Sequence, residues 1–502
     1  MQPKLSPQDA YNDATIAQGH PADWKNPAGG TYDLVVIGGG PAGLVAALTA
    51  ASGGKRVALA ENRLTGGTCV NFGCTPSKAL IRCARAVHES GRAHDFGYST
   101  NGAPQVDFPA VMERVRRMRA MSSKLDSVEN LARAGVDVYL GTARFESERS
   151  VRVGDAELCF ERAVIAAGGR PVPPDIAGLS QADYLTNETV FSLTELPRKL
   201  VVLGGGPLGT ELAQAFRRLG SEVDLVSSSE RLLPKDEPEV SSLLARRFER
   251  EGILVHLGFR GTRVADHRLE LAGPTGRRIL DYDALLVGVG RRADLDGLDL
   301  GLASVRAGRR GVVTDAFLRT TNPRIFSAGD ASFDDKYTHA AMATARLCVA
   351  NAFSTILRPA SELVIPHCTY TDPEVAHVGR TADGDGSAIE AHRIDLGLVE
   401  RAYIDGEEDG FAALYTVDGG DRIVGATLVS AHAGETITEL TLAIMKGVSL
   451  RELAETVHCY PTQAEAFQRI ASNWVKAHPS AAERSDWIAA PTTATEGAAP
   501  SH

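Results

Sequence analysis

One pattern occurs twice in this chain and restricts its fold more than any other feature. Residues 31–43 read Thr-Tyr-Asp-Leu-Val-Val-Ile-Gly-Gly-Gly-Pro-Ala-Gly, and residues 198–209 read Arg-Lys-Leu-Val-Val-Leu-Gly-Gly-Gly-Pro-Leu-Gly. In each copy an apolar run of strand length meets a glycine turn. An alanine- and leucine-rich helical stretch follows, at 44–51 and at 211–219, and then a second strand, at 56–60 and at 222–226. Strand, tight turn, helix and parallel strand make a βαβ unit, whose glycines let the backbone approach a pyrophosphate at a helix N-terminus. Two such units predict an α/β protein with two Rossmann-like dinucleotide-binding domains.

At 502 residues the chain is long enough for two to four domains. The second βαβ unit is read as an insertion in the first domain. A strand-like run at 284–289 leads into Gly290-Arg291-Arg292, and residues 320–330 then open a segment followed by a helix at 340–353. The expected layout is an extension over 1–30, a first dinucleotide domain over 31–175 and 296–363, and a second over 176–295. A C-terminal α+β domain over 364–477 and a disordered tail over 478–502 complete it. In the C-terminal part, strands are expected at 410–417 and 422–429, and helices at 435–445 and 463–475.

A net charge of −10 argues against nonspecific binding to nucleic acid or to an anionic membrane. No run approaches the ~20 apolar residues of a membrane-crossing helix. The polar first 30 residues lack a basic start followed by an apolar segment, which makes the cytoplasm the expected compartment. Seven cysteines, at 69, 74, 83, 159, 348, 368 and 459, are too few and too uneven for a disulfide framework.

In the first copy Gly38, Gly40 and Gly43 form the turn, and Glu61 stands eighteen residues beyond the last of them, placed to accept hydrogen bonds from a ribose. In the second copy Gly204, Gly206 and Gly209 are followed at the same interval by Ser227. A carboxylate there would repel a 2′-phosphate. A serine does not, and Arg231 adds a cation nearby, so NADPH is favoured over NADH; the alternative is a polar loop that accepts either nucleotide.

Cys69 and Cys74 lie in Gly66-Gly-Thr-Cys-Val-Asn-Phe-Gly-Cys-Thr-Pro-Ser-Lys78. The spacing permits a local disulfide if the two Cα atoms come within ~7 Å. Pro76 reads as the start of a helix continuing through 79–88, which puts Cys74 near its N-terminus and Lys78 one turn on; both favour a thiolate. The alternatives are half of a zinc site or two buried thiols.

Taken together these motifs resemble the class I pyridine nucleotide–disulfide oxidoreductases, which include dihydrolipoamide dehydrogenase, glutathione reductase and mercuric reductase. Ile165-Ala-Ala-Gly-Gly-Arg-Pro171, Ala328-Gly-Asp330 and His458-Cys-Tyr-Pro-Thr-Gln-Ala-Glu465 extend the similarity over about 32–475. The resemblance implies that Gly38, Gly40, Gly43, Glu61, Gly141 and Asp330 hold FAD, with His339 by the flavin pyrimidine. It places Lys78 near flavin N5, paired with Glu211, and lines the nicotinamide nucleotide site with Gly204, Gly206, Gly209 and Gly290. Electrons would run from NADPH through the flavin to a Cys69–Cys74 disulfide, Cys74 serving the flavin and Cys69 the substrate. The resemblance also implies a homodimer whose C-terminal domain brings His458, Tyr460 and Glu465 to the other subunit's site.

One position departs from the commonest pattern. Family members that reduce lipoamide or glutathione carry a histidine before the Pro-Thr, with a glutamate four residues after that proline. Here Pro461 and Glu465 are present but the preceding residue is Tyr460, a phenol with reference pKa ~10 that donates a proton better than it accepts one. Mercuric reductases resemble the chain in having tyrosine there, but they typically also carry a C-terminal cysteine pair, which this chain lacks. The acceptor is therefore expected to be a soft metal ion such as Hg(II), or a disulfide. A dihydrolipoamide dehydrogenase and a redox-sensing flavoprotein are the alternatives. Cys459 is read as a buried cysteine or a third thiol of the site, and Cys83, Cys159, Cys348 and Cys368 as core or surface thiols.

Overall fold

The computed structural model describes residues 3–99, 102, 105–382 and 388–479. The described residues up to Asp372 form one compact unit, and those from Pro373 form a second. The expected tail lies outside the described residues from 480 onward.

In the first unit, α1 (Ala10–Gly19) precedes β1 (Gly30–Ile37), α2 (Pro41–Ser52) and β2 (Val57–Glu61). Next come α3 (Gly67–Phe72), α4 (Cys74–Gly91), α5 (Phe108–Leu125), α6 (Val128–Arg133) and β3 (Val136–Leu140). β1 pairs in parallel with β2 on one side and with Ala156–Ile165 on the other, and β2 pairs in parallel with β3. Both faces of this sheet are covered, which is why β1 is an unbroken apolar run: Leu34 and Val36 enter the core with α2, while Val35 and Ile37 enter the opposite one.

The second glycine turn builds a separate parallel sheet in the order Ile253–Leu257, Glu222–Ser227, Lys199–Leu203, Ala284–Val287. Its helix, α7, runs Pro207–Leu219. After this sheet the chain returns, and Ile325–Ser327 pairs in parallel with Ala156–Ile165 of the first sheet. The second copy is thus an insertion between strands of the first.

The N-terminal segment is folded onto the first sheet. β3 is its edge strand, and Trp24 Nε1 donates to Val138 O at 3.0 Å. Asn26 uses its side-chain amide like a neighbouring strand, donating to Leu140 O at 3.0 Å and accepting from Leu140 N at 2.8 Å.

In the second unit, Glu374–Gly379, Ile423–Ser430, Phe411–Val417 and Ile389–Asp395 pair antiparallel in that order, with helices Ala433–Lys446 and Glu465–Ala477 beside them. Among the described residues no helix is long and apolar enough to cross a membrane.

Candidate active site

The two glycine turns are alike in detail. A Cβ on Gly43 would lie 1.7 Å from Gly38 O, and one on Gly209 would lie 1.8 Å from Gly204 O, so only glycine lets each helix start this close to its strand. Gly38 and Gly204 have φ of +108° and +133°, the left-handed region that glycine enters freely. Neither α2 nor α7 has a side-chain cap, so backbone N–H groups of the first turn are left for an anion.

Glu61 and Ser227 occupy matching places against the middle glycines. Glu61 Oε2 accepts from Gly39 N at 2.6 Å and Oε1 accepts from Arg63 N at 2.6 Å, while burial pushes its carboxyl pKa up. Gly141 N donates to Glu61 O at 2.8 Å, closing the adjoining end of β3. Ser227 is buried, lies against Gly205, and accepts from Ser229 N at 3.2 Å. Around Gly206 and Gly290 a Cβ would meet nothing within 4 Å, so both face open space. Cradle, uncapped helix and acidic residue fit a dinucleotide such as FAD at the first turn. The second turn fits a nicotinamide nucleotide.

The cysteine segment is docked on the first of these turns. Gly66 N donates to Gly39 O at 2.9 Å, and a Cβ on Gly67 would lie 2.6 Å from Gly40 Cα. Rather than an open loop, Cys69 lies in the short helix α3, and Cys74 is the first residue of α4. Both are thiols in this structure, hydrogen-bonded to one another.

The pair is electrically split. Cys74 is held at a pKa of about 6, first by the hydrogen bond from Cys69, against the cost of burial, and further by Thr338 and the Lys78 charge. Cys69 is driven up, first because it is the donor to Cys74, then by burial. Cys74 is open to solvent, although the protein around it is dense enough to oppose its charge. Its Sγ is 3.1 Å from Thr338 Oγ1. A cation and a hydroxyl beside the pair suit a thiolate and oppose a bound zinc ion.

Lys78, on the next turn of α4, donates to Glu211 Oε2 at 2.7 Å and lies 4.5 Å from the ring centroid of Tyr370. Burial works against the Lys78 cation, but Glu211 and Cys74 outweigh it and hold its pKa above the usual lysine value. Glu211 is buried, and its other oxygen accepts from Tyr370 N at 2.9 Å. Three residues on, Gln214 bonds both backbone groups of Asp372, at 2.8 and 2.7 Å, fixing the segment that carries Tyr370.

Asp330 takes Arg291 Nε at 3.4 Å, and the same guanidinium donates to Thr68 Oγ1 at 3.4 Å and to Gly169 O. Arg291 thus links the exit from the second sheet to the cysteine segment. His339 is exposed, bonds Pro366 O at 2.5 Å and stacks on Tyr337 at 5.5 Å; its neighbour Thr338 is the one that touches Cys74. Sequence reasoning missed Thr338, Tyr370 and Arg291. Only Arg291 had a nearby signal, in the motif that singled out Gly290.

Tyr460 and Glu465 belong to the second unit. Tyr460 is 69% exposed, and Glu465 opens a helix with a buried Oε2 that has no hydrogen-bond partner. His458 is turned inward, 2.9 Å from Glu439, while Cys459 is exposed rather than buried. Cys348 is buried, and Cys83, Cys159 and Cys368 are half-buried.

Two dinucleotide folds flanking a polarised dithiol define a flavin- and nicotinamide-linked dithiol oxidoreductase. The profile of the pyridine nucleotide-disulphide oxidoreductase family matches residues 32–346, and that of its dimerisation domain matches 365–471. The chain is 36% identical to a mercuric reductase of Streptomyces lividans, over 88% of this chain and 96% of that protein. It is 33% identical to a dihydrolipoyl dehydrogenase of Chlamydia muridarum, over 87% and 95%. The solved HOCl-induced flavoprotein disulfide reductase RclA from Escherichia coli superposes with a TM-score of 0.78 at 25% identity, over 88% of this chain and 99% of that one. The chain belongs to the class I pyridine nucleotide-disulphide oxidoreductases, an FAD-dependent family that uses NAD(P)H.

Proposed function

We propose that this chain carries electrons from NADPH to a soft metal ion such as Hg(II), with a disulfide as the other acceptor class, through FAD and the Cys69–Cys74 pair. FAD supplies the exchange of two electrons between a nicotinamide and a thiol pair. This chain's residues hold the pair so that Cys74 bears the negative charge, beside Lys78 and Thr338, while Cys69 keeps its proton. Before Cys69 sulfur binds a soft cation or attacks a disulfide, that proton must leave. The Cys74 thiolate, already hydrogen-bonded to it, is the acceptor in reach.

Tyr460 carries the choice of acceptor. A phenol at that place supports chemistry needing no base for a thiol leaving group. We place Tyr460 and Glu465 at the partner subunit's dithiol, in a homodimer of the cytoplasm. The preference for NADPH rests on Ser227 facing Gly205, where Glu61 faces Gly39 in the first turn.

The test is NADPH consumption by the flavin-loaded protein with Hg(II) and with aromatic disulfides. Turnover with Hg(II) supports the reading, and turnover with neither removes it in favour of a redox sensor. Similarity to a dihydrolipoyl dehydrogenase over most of the chain favours a second reading, in which Tyr460 and His458 serve in place of the usual base. Steady reduction of NAD by dihydrolipoamide would establish it.

A further inference from the structure

Midway between the two cysteines, Asn71 is tied down on both sides. Its Nδ2 donates to Thr65 O at 3.0 Å and to Gly67 O at 2.9 Å, closing the segment on itself. Its backbone carbonyl accepts from Arg119 Nη1 at 3.1 Å. Arg119 is 1% exposed, its Nη2 donates to Asn12 Oδ1 on α1, and its Nε has no partner. A buried guanidinium usually faces a carboxylate. Here burial pushes the Arg119 pKa down to about 10, helped by neighbouring Arg116 and only partly offset by Asp9. The contacts of this costly cation are two carbonyl oxygens, one on the cysteine segment and one on the N-terminal helix.

α1 reaches the same segment at its entry as well. Gly19 O accepts from Thr65 N at 3.2 Å, and His20 Nδ1 donates to Arg63 O at 2.6 Å. Gly19 fits closely: a Cβ there would lie 3.3 Å from Leu64 Cδ2. At its own start α1 is capped by Asp9, which accepts from Asn12 N at 2.8 Å and pairs with Arg116. Residues 9–20 therefore hold the cysteine segment directly at 63–65 and through Arg119 at Asn71.

We propose that this N-terminal helix is a brace for the redox segment. Asn12 and Arg119 are its positioning residues, holding the helix that carries Cys69 in place against the start of α4 at Cys74. A hydrogen bond to a charged acceptor is strong but steeply dependent on distance and angle. Loosening the brace returns Cys74 toward an ordinary thiol without touching either sulfur. The inference rests on the reading of the two cysteines as the redox pair.

The test uses the full-length, FAD-loaded protein after reduction and follows the long-wavelength thiolate–flavin absorption against pH. Asn12→Leu removes the acceptor for Arg119, and its midpoint is expected to rise by about one pH unit, a tenfold fall in the ratio of thiolate to thiol at any given pH. Asn12→Asp keeps the acceptor and is expected to stay at the wild-type midpoint. Arg119→Lys keeps the cation, gives up the fork, and carries the same expectation as Asn12→Leu should that variant not fold. Lower thermal stability with an unmoved midpoint, in whichever of the two folds, overturns the proposal and leaves α1 a structural element only. Absence of the band in the wild-type protein would instead sink the redox-pair reading on which the inference rests.

Discussion

Lys78 Nζ lies 2.7 Å from Glu211 Oε2, so the helix that begins at Cys74 is joined by an ion pair to the helix that begins at the second glycine turn. The pair has an unsymmetrical setting: the Glu211 side chain is 4% exposed and that of Lys78 36%. Lys78→Met removes a cation that favours the Cys74 thiolate and strands a buried carboxylate. We expect the thiolate midpoint to rise above 6. Reduction of the Cys69–Cys74 disulfide by NADPH should slow about 10- to 100-fold, or ~1.4 to 2.8 kcal/mol of barrier. A pH titration of the reduced protein would measure the first, and rapid mixing of the oxidised protein with NADPH the second.

The division of labour between the sulfurs predicts different losses. Cys74→Ser should abolish the long-wavelength band. Cys69→Ser should retain it even before reduction, and Cys69→Ala, lacking any donor, should shift its midpoint upward. In the wild-type protein the band should fade as pH falls through about 6, because Cys74 then takes up a proton, and should be full at pH 8. A normal band in the Cys74 variant would mean that the roles are exchanged.

Nucleotide choice is testable at one residue. Ser227→Glu recreates at the second turn the carboxylate of the first, where it would bond a free ribose 2′-hydroxyl and repel a 2′-phosphate. The ratio of kcat/KM for NADPH over NADH should fall at least about tenfold. An unchanged ratio would put discrimination elsewhere, with Arg231 the next residue to change.

At Tyr460 the expected outcomes separate the acceptors. Tyr460→Phe should lower turnover with Hg(II) while the dithiol band stays intact. Tyr460→His should raise turnover with dihydrolipoamide, since imidazole titrates near neutrality. If the histidine variant gains nothing, the tyrosine is not what withholds that activity.

A stability prediction concerns the inserted domain. Glu251 accepts from Arg218 at 2.7 and 2.9 Å and from Arg247 at 2.8 Å, with the Arg218 and Glu251 side chains 5% and 8% exposed. Burial opposes the Glu251 charge, but the two arginines overcome it and hold its pKa below the usual carboxylate value. Glu251→Leu leaves these cations with less compensation and should cost about 3–5 kcal/mol, measured by denaturant unfolding. The thiolate band should be unaffected.

What the sequence made legible was local. Both glycine turns, the polarisable cysteine pair and the helix following Cys74 follow from short spacings and from propensity. The helix Gly67–Phe72 was not readable, because paired glycines disfavour it; it forms where Asn71 closes back on Gly67 and Thr65. Contacts across long stretches were equally hidden. Thr338 meets Cys74 over 264 residues of chain, and Tyr370 meets Glu211 over 159. Polar residues such as Asp9 and Asn12 lie in what the sequence shows only as a polar extension. Only the burial of Asn12 and the bonds of both residues to Arg116 and Arg119 of α5 show otherwise.

The segment lying along β3 has a consequence for handling the protein. Asn26 occupies both backbone groups of Leu140, and Trp24 occupies Val138 O, so the margin of a seven-stranded sheet offers few free groups to another chain. Removal of residues 3–29 would bare that margin, and unprotected strand edges recruit one another. A shortened protein should therefore scatter light and self-associate at concentrations where the full chain stays dispersed, whatever becomes of its chemistry.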